Sequence, residues 1–297
     1  MTVEASPLPS IIGVVDTPRD SEPTARPAPG GAGIDTPRHT RILARLHSTV
    51  LAALGLAGLY LVWWIGGWLI ASNPRTAAFA GFAPELALAR LWEIVASGEI
   101  WTMSVPSLSR VGLGLAWAAA IGIPLGIIIG RSPTVRDLTN VPFQLLRMVS
   151  PLAWMPIAVL AFATWDGAIV FLIGVASVWP ILFATAAGVR RIEPGWFKVA
   201  RNLGAGRWRL LAAVVLPATA PDILTGIRLA LGVAWIVLVP AEYLGVKSGL
   251  GYSINDARDT LDYDRLTAIV LIIGLIGFAL DAVLQGFIRR FSWLRHD

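Results

Sequence analysis

A chain of 297 residues that is 56% hydrophobic and only 14% charged lies outside the composition of soluble globular proteins and belongs in a membrane. Its net charge of +5 does not point to nucleic acid, because the cations sit between apolar runs and not on one contiguous face. With no cysteine the sequence excludes disulfides, thiolate metal sites and cysteine nucleophiles, and its three histidines, His39, His47 and His296, all lie in flanks where they build no metal cluster.

Residues 1–36 are rich in Pro, Gly, Ala and Thr and show neither helical nor strand periodicity, which predicts a disordered cytoplasmic tail. No basic start followed by an apolar core occurs within the first 30 residues, so a cleaved signal peptide is not expected. Residues 37–106 then hold a first transmembrane helix, about 49–71, and an external segment. In that segment Leu86, Leu88, Leu91, Trp92, Ile94 and Val95 are interleaved with Glu85, Arg90, Glu93 and Glu99, a pattern that fits a helix lying at the membrane surface.

Five more spans follow at about 111–130, 142–163, 168–188, 220–242 and 266–288. Each approaches the roughly 20 apolar residues that a helix needs to cross a hydrocarbon core about 30 Å thick. Helices are required there because lipid offers no partner to backbone amides. The second span repeats Gly122, Gly126 and Gly130 at every fourth residue, one face on which another helix can approach closely. Arg147, Pro151 and Pro156 interrupt the third, which is expected to be a kinked helix. Between the last two spans, Gly245 and Ser248-Gly249-Leu250-Gly251 read as turns before a polar run with Asp256, Asp259, Asp262 and Asp264. No twelve-residue calcium loop ending in Glu is present there.

Orientation follows from the cations. With the N-terminus inside, fourteen Lys and Arg fall on inner flanks, among them Arg131, Arg136, Arg190, Arg191, Lys198 and Arg289, whereas Arg75, Arg90, Arg110, Lys247, Arg258 and Arg265 fall outside. Both termini are therefore expected in the cytoplasm, with residues 291–297 as a short C-terminal tail.

The longest inner connection, 189–219, contains KVARNLGAGRWRLLAAVVLP from Lys198 to Pro217. A short helix held between two spans moves them as a lever when its partner moves, whereas a flexible loop transmits little force. Gly204 permits a sharp turn, and Pro217 suits the start of the next helix, where a missing amide costs least. Arg201, Arg207, Trp208 and Arg209 offer charge and a large apolar anchor to a protein groove. Inside the spans, Arg147, Arg228, Glu242 and Asp281 stand out because a buried charge is expensive. Arg228 faces a translocation path, pairs with Asp222 or Asp281, or reaches the inner interface along its aliphatic stem; Glu242 either contributes to an outer gate or is solvated at a helix end.

Ala200, Gly204, Val214, Leu216 and Pro217 reproduce a spacing of Ala-x-x-x-Gly, nine residues, an aliphatic residue, a spacer and Leu-Pro. In this the chain resembles the permeases of type I ATP-binding-cassette (ABC) importers, in particular the nitrate, sulfonate, taurine and bicarbonate branch. Further stretches carry the likeness across about 107–290: Ser107-Leu-Ser-Arg110-Val-Gly112, Leu146-Arg147-Met-Val-Ser-Pro151-Leu-Ala-Trp-Met-Pro156, Gly188-Val-Arg190, Gly226-Ile-Arg228-Leu-Ala-Leu-Gly232-Val-Ala-Trp235, and Ala241-Glu242 followed by Ser248-Gly249-Leu250-Gly251. Arg147 resembles a family position near the inner end of the third span, which implies an anchoring role. Lys198 and Val199 depart from the Glu-Ala with which the family motif usually begins.

The resemblance implies an all-α membrane protein, a type I ABC importer permease bundle of about six transmembrane helices with a disordered N-terminal tail, in a bacterial inner membrane. It implies that Lys198, Val199, Ala200, Arg201, Gly204, Ala205, Arg207, Trp208, Val214, Leu216 and Pro217 form a coupling helix docking on an ATPase. Arg228 and Glu242 are the candidates for the substrate path. Implied partners are ABC ATPase subunits, a second permease subunit completing a homodimer, an external solute-binding protein and the bilayer, with a small anion such as nitrate, a sulfonate or taurine as cargo. No cofactor is expected on this chain, which has no G-x-x-x-x-G-K-[ST] phosphate loop; ATP and Mg would be used by the partner ATPase. An ion-gradient-driven secondary transporter, or an importer of a different small solute, is the alternative, although the sequence has no convincing inverted repeat. A membrane enzyme would need grouped catalytic side chains that the spans lack.

Overall fold

The computed structural model describes residues 38–292, so the expected tail at 1–36, and residues 293–297 of the expected tail at 291–297, lie outside the described residues. The chain divides into two units, 1–56 and 57–297. The described part of the first is the opening half of helix α1 (Arg38–Ser72).

In the second unit a 3-10 turn, Ala77–Phe82, leads into α2 (Pro84–Ala96) and α3 (Glu99–Arg131). Next come α4 (Pro133–Met148), a 3-10 turn at Pro151–Trp154, α5 (Met155–Ala161) and α6 (Trp165–Arg191). Two short helices, α7 (Pro194–Asn202) and α8 (Arg207–Leu210), precede a π turn, Leu211–Val215, which opens into α9 (Leu216–Gly245). The last helices are α10 (Leu250–Asp259) and α11 (Tyr263–Ser292).

Five helical stretches are long and apolar enough to cross a membrane: 49–72 in α1, α3, α6, 207–245 and 263–290 in α11. The expected third span is not one kinked helix but two segments, the geometry of a broken span or a re-entrant loop. α4 and the 151–161 segment meet at 86°. Proline disfavours the helical region for the residue before it, and Ser150, before Pro151, is extended at ψ 129°, as is Val149 at ψ 125°. Freed from the following segment, α4 buries none of its residues and exposes Leu138, Val141, Leu145 and Met148.

The core forms where α3, α6 and α9 pack together, and α6 lies at its centre, burying Leu172, Ile173, Ile181 and Leu182. The four-residue repeat read from the sequence extends to Gly114, Ala118, Gly122, Gly126 and Gly130, all on the face of α3 that meets α6. A Cβ on Gly126 would stand 2.7 Å from the Leu182 carbonyl oxygen, and one on Gly122 would stand 3.1 Å from that of Val178. Only the absence of a side chain lets the two backbones approach this closely.

The expected surface helix is α2. It buries Pro84, Ala87 and Ile94 towards α11 and leaves Leu86 and Trp92 exposed. Phe79, Phe82 and Tyr263 form an aromatic cluster beside it, with Tyr263 5.1 Å from each phenylalanine ring. Arg90 reaches Asp262 at 3.3 Å, and Arg265 reaches Glu99 at 2.6 Å. A hydrogen bond with the Asp264 carboxyl, helped by the Arg90 guanidinium, holds the Asp262 carboxyl below the ordinary carboxylate range. The polar run expected after the glycine turns is helical: α10 buries Leu250, Gly251, Ser253 and Ala257.

One end of the helices is therefore basic, with Arg131, Arg191 and the 194–210 elbow. The other is acidic, with Glu99, Asp166, Asp256 and Asp262.

Candidate functional site

The elbow between α6 and α9 is built from local backbone chemistry. After α7 the chain closes in a Schellman turn: the Ala205 amide donates to the Ala200 carbonyl at 3.0 Å and the Gly204 amide donates to Arg201 at 2.9 Å. This turn needs a left-handed residue four positions after the first acceptor, and Gly204 supplies it at φ +75°. The Ala200-x-x-x-Gly204 spacing is thus the length of a helix-ending turn, and the small side chains of Ala200 and Ala205 suit its two ends.

α7 is amphipathic. Phe197 and Ala200 pack with Val189, Leu210 and Val215, while Lys198, Val199 and Arg201 face outward. Within the turn Leu203 is 80% exposed, and beyond it Trp208 is 83% exposed, flanked by exposed Arg207 and Arg209. Arg201, Arg207 and Trp208 border a recess of about 610 Å³ that also takes in Arg131, Ala205, Leu210 and Leu211. Arg131 lies over the Phe197 ring at 5.4 Å, which ties the end of α3 to the elbow.

Pro217 falls in the first turn of α9, but the helix does not start afresh there as the sequence suggests. The backbone is helical from Arg207 to Gly245. Proline cannot donate to the carbonyl four residues earlier. The chain widens into a π turn directly before it, and the Leu216 amide reaches Leu211, five residues back. Val214 is part of that turn. Just above the elbow, Gly188 of α6 touches the Asp222 side chain of α9, and Arg191 pairs with the same Asp222.

At the acidic end, a second constellation joins four helices. Glu242 is fully buried, so solvation at a helix end does not account for it. Its carboxylate accepts from Ser107 Oγ at 2.8 Å, from Arg110 Nη1 at 2.5 Å and from the Gly251 amide at 2.9 Å. Ser107 Oγ in turn accepts from the Leu250 amide at 2.8 Å. Ser107 and Glu242 thereby cap the first two amides of α10 from other helices, where a helix would normally use its own preceding side chain. Gly249, at φ +112°, lies against the Glu242 carboxylate, where a Cβ would stand 2.5 Å from Oε1.

Arg110 supplies the matching charge. It is only 4% exposed and lies within α3, at the same end as Asp166, Glu242 and Ser248. Nε and Nη2 hold Asp166 at 2.7 and 2.6 Å, Nη1 also donates to the Ser248 carbonyl at 2.9 Å, and Nη2 to Ser248 Oγ at 3.0 Å. Each of the three guanidinium nitrogens therefore has a hydrogen-bond partner, through four bonds in all. A buried ion pair repays its desolvation only when geometry and extra hydrogen bonds are this complete.

Arg228 lies on α9 and binds Asp281 of α11 through Nε at 2.7 Å and Nη2 at 2.9 Å, with Gln285 bracing the carboxylate at 3.1 Å. Its charge is matched by Asp281 and not by Asp222, which belongs to Arg191. Arg147, at the end of α4, lies over the Phe183 ring at 5.5 Å. The two path candidates do not converge: Glu242 belongs to the clamp at the acidic end and Arg228 to a separate pair. Sequence reasoning did not single out Ser107, Arg110, Asp166 or Ser248 as one site. Ser107, Arg110, Glu242 and Ser248 lay within stretches that carry the family likeness, but no local pattern joined them.

Comparison with known proteins gives consistent likenesses. Residues 122–293 match the family model described as binding-protein-dependent transport system inner membrane component. The taurine transport system permease protein TauC of Escherichia coli (strain K12) is 34% identical over 253 residues, covering 83% of this chain and 90% of the relative. The bicarbonate transport system permease protein CmpB of Synechococcus elongatus is 40% identical over 198 residues, 65% of this chain and 70% of the relative. The nitrate import permease protein NrtB of Leptolyngbya laminosa is 40% identical over 191 residues, 64% and 68% of the two chains.

Proposed function

This chain belongs to the family of binding-protein-dependent transport system inner membrane components, and from that premise we propose that it passes a small anion through the membrane when a separate ATPase pushes on the 194–210 elbow. It is the permease subunit of an ABC importer, a multi-pass membrane protein. The cargo is nitrate, a sulfonate, taurine or a similar small anion, because relatives named for taurine, bicarbonate and nitrate align with most of the chain.

The observation that carries the mechanism is the exposure of Trp208 and Leu203 among Lys198, Arg201, Arg207 and Arg209, on a turn fixed by Gly204. A large aromatic ringed by cations, rigidly presented, has the composition of an interface anchor. Ala205, Val199 and Ala200 complete the docking helix, and Val214, Leu216 and Pro217 connect it to α9. The elbow runs without a helical break into α9 and is joined to α6 by only two extended residues, Ile192 and Glu193, so its displacement reaches both core helices without passing through a long loop.

In this reading both termini are cytoplasmic, the basic end receives the ATPase, and an external binding protein delivers cargo at the acidic end. Two copies of the chain enclose the path. ATP and Mg are handled by the ATPase alone. Arg228 and Glu242 bear on the cargo only through their matched pairs, so selection rests mainly with the binding protein.

The test is reconstitution of the chain with an ATPase encoded beside it and the matching binding protein. ATP hydrolysis should rise on adding loaded binding protein, and nitrate or taurine should accumulate inside vesicles. Uptake that persists without nucleotide would refute the reading in favour of a gradient-driven carrier.

A further inference from the structure

We infer that Arg110 and Glu242 are positioning residues that lock the acidic ends of α3, α6 and α9, together with the N-terminus of α10, into one block that stays closed through the transport cycle. The inference rests on the importer reading and adds to it where the push from the elbow is, and is not, absorbed.

Three observations carry it. Glu242 has no exposure and its two oxygens are occupied by Ser107, Arg110 and the Gly251 amide. Arg110 donates from all three guanidinium nitrogens to α6, α9 and the 246–249 segment, and it is only 4% exposed, which keeps it from water and cargo. At the opposite end the same two helices, α6 and α9, are joined by Arg191–Asp222 and by the close seat of Gly188 on Asp222. α6 and α9 are thus fastened above and below, and a displacement of the elbow turns them as a body instead of prising them apart. The buried members, Ser107, Arg110 and Glu242, hold one another through several bonds, while the tie to α6 runs through the exposed Asp166.

The amides of Leu250 and Gly251 report directly on this block because their acceptors are Ser107 and Glu242. The experiment is hydrogen exchange by mass spectrometry on the full complex of permease, ATPase and binding protein in lipid nanodiscs, nucleotide-free and trapped with ATP. Exchange of the peptide spanning 246–253 is expected to agree between the two states within a factor of two. A Glu242→Gln variant is expected to exchange there at least tenfold faster and to move less solute per ATP hydrolysed, while basal hydrolysis persists. Arg110→Lys, which keeps the charge but not the five-donor fork, is expected to shift both readouts in the same direction.

A merely structural role would lower the yield of folded complex without changing the transport-to-hydrolysis ratio of what remains, and that result would overturn the inference. So would wild-type exchange at 246–253 that rises tenfold on ATP trapping, a comparison that stands even where Glu242→Gln fails to fold. Binding-protein-stimulated hydrolysis in the same wild-type sample separates the two levels. If it is present while the peptide opens, only the closed block is refuted; if it is absent, the importer reading falls and the inference with it.

Discussion

The Glu242 carboxylate lies 2.5 Å from Nη1 of Arg110, a partner 132 residues earlier in the chain, and neither side chain has appreciable contact with solvent. Removing one member leaves the other charged and buried. Glu242→Ala is expected to destabilise the protein by about 3–5 kcal/mol, because the survivor loses its counter-charge without regaining water. A thermal shift in detergent checks this. Asp166→Ala, which removes a partner that is 66% exposed, is expected to cost far less.

The glycine face of α3 gives a steric prediction. Gly126→Val would push a side chain into Leu182 and Thr185 of α6, and over-packing of this kind costs about 1–3 kcal/mol. On the same helix, a methyl group added at Gly112 would meet nothing within 4 Å. Gly112→Ala is therefore expected to be neutral or stabilising by roughly 0.5–1 kcal/mol, as for a glycine within a helix. Comparing the two melting temperatures isolates contact from propensity.

At the elbow, Gly204→Ala would place a Cβ at φ +75°, a cost of about 1–2 kcal/mol concentrated in one turn. Gly206 stands at φ −68°, where alanine fits without strain. Co-purification with the ATPase is expected to fall for Gly204→Ala, and further for Gly204→Asp, but not for Gly206→Ala. Membrane insertion is expected to be unchanged in all three.

Trp208 is 83% exposed, so Trp208→Ala should leave the melting temperature within experimental error. If it anchors the ATPase, affinity falls by about 2 kcal/mol or more, roughly 30-fold. Titration of labelled ATPase subunit against permease in nanodiscs measures it. Unchanged affinity would refute the docking role of this residue.

Arg228 and Asp281 should behave as a unit. Arg228→Met alone strands a carboxylate within an apolar helix, whereas Arg228→Met with Asp281→Leu removes both charges. The double variant is expected to retain more folded protein and more uptake than the single one. The reverse order would mean that Arg228 acts on the cargo directly.

Hydropathy alone located five spans, since each is an uninterrupted apolar helix whose register packing does not alter. The third was legible only as a defect. Pro151 marks the break, but the 86° bend depends on Ser150 and Val149 both going extended, which no periodicity encodes. α10 escaped because its polar face resembles a loop and its capping groups, Ser107 and Glu242, come from distant helices. Gly204 was readable as a turn because the left-handed requirement is local. Arg110 was not readable as a hub: its partners, Asp166, Glu242 and Ser248, lie 56, 132 and 138 residues away.

That separation also orders events on the ribosome. Arg110 is made 132 residues before Glu242, and at roughly 5–20 residues per second the wait is on the order of ten seconds. Asp166 follows after only 56 residues, so the newborn arginine meets its solvent-facing counter-ion first. The contact that buries this cation is therefore complete only after α9 has been synthesised.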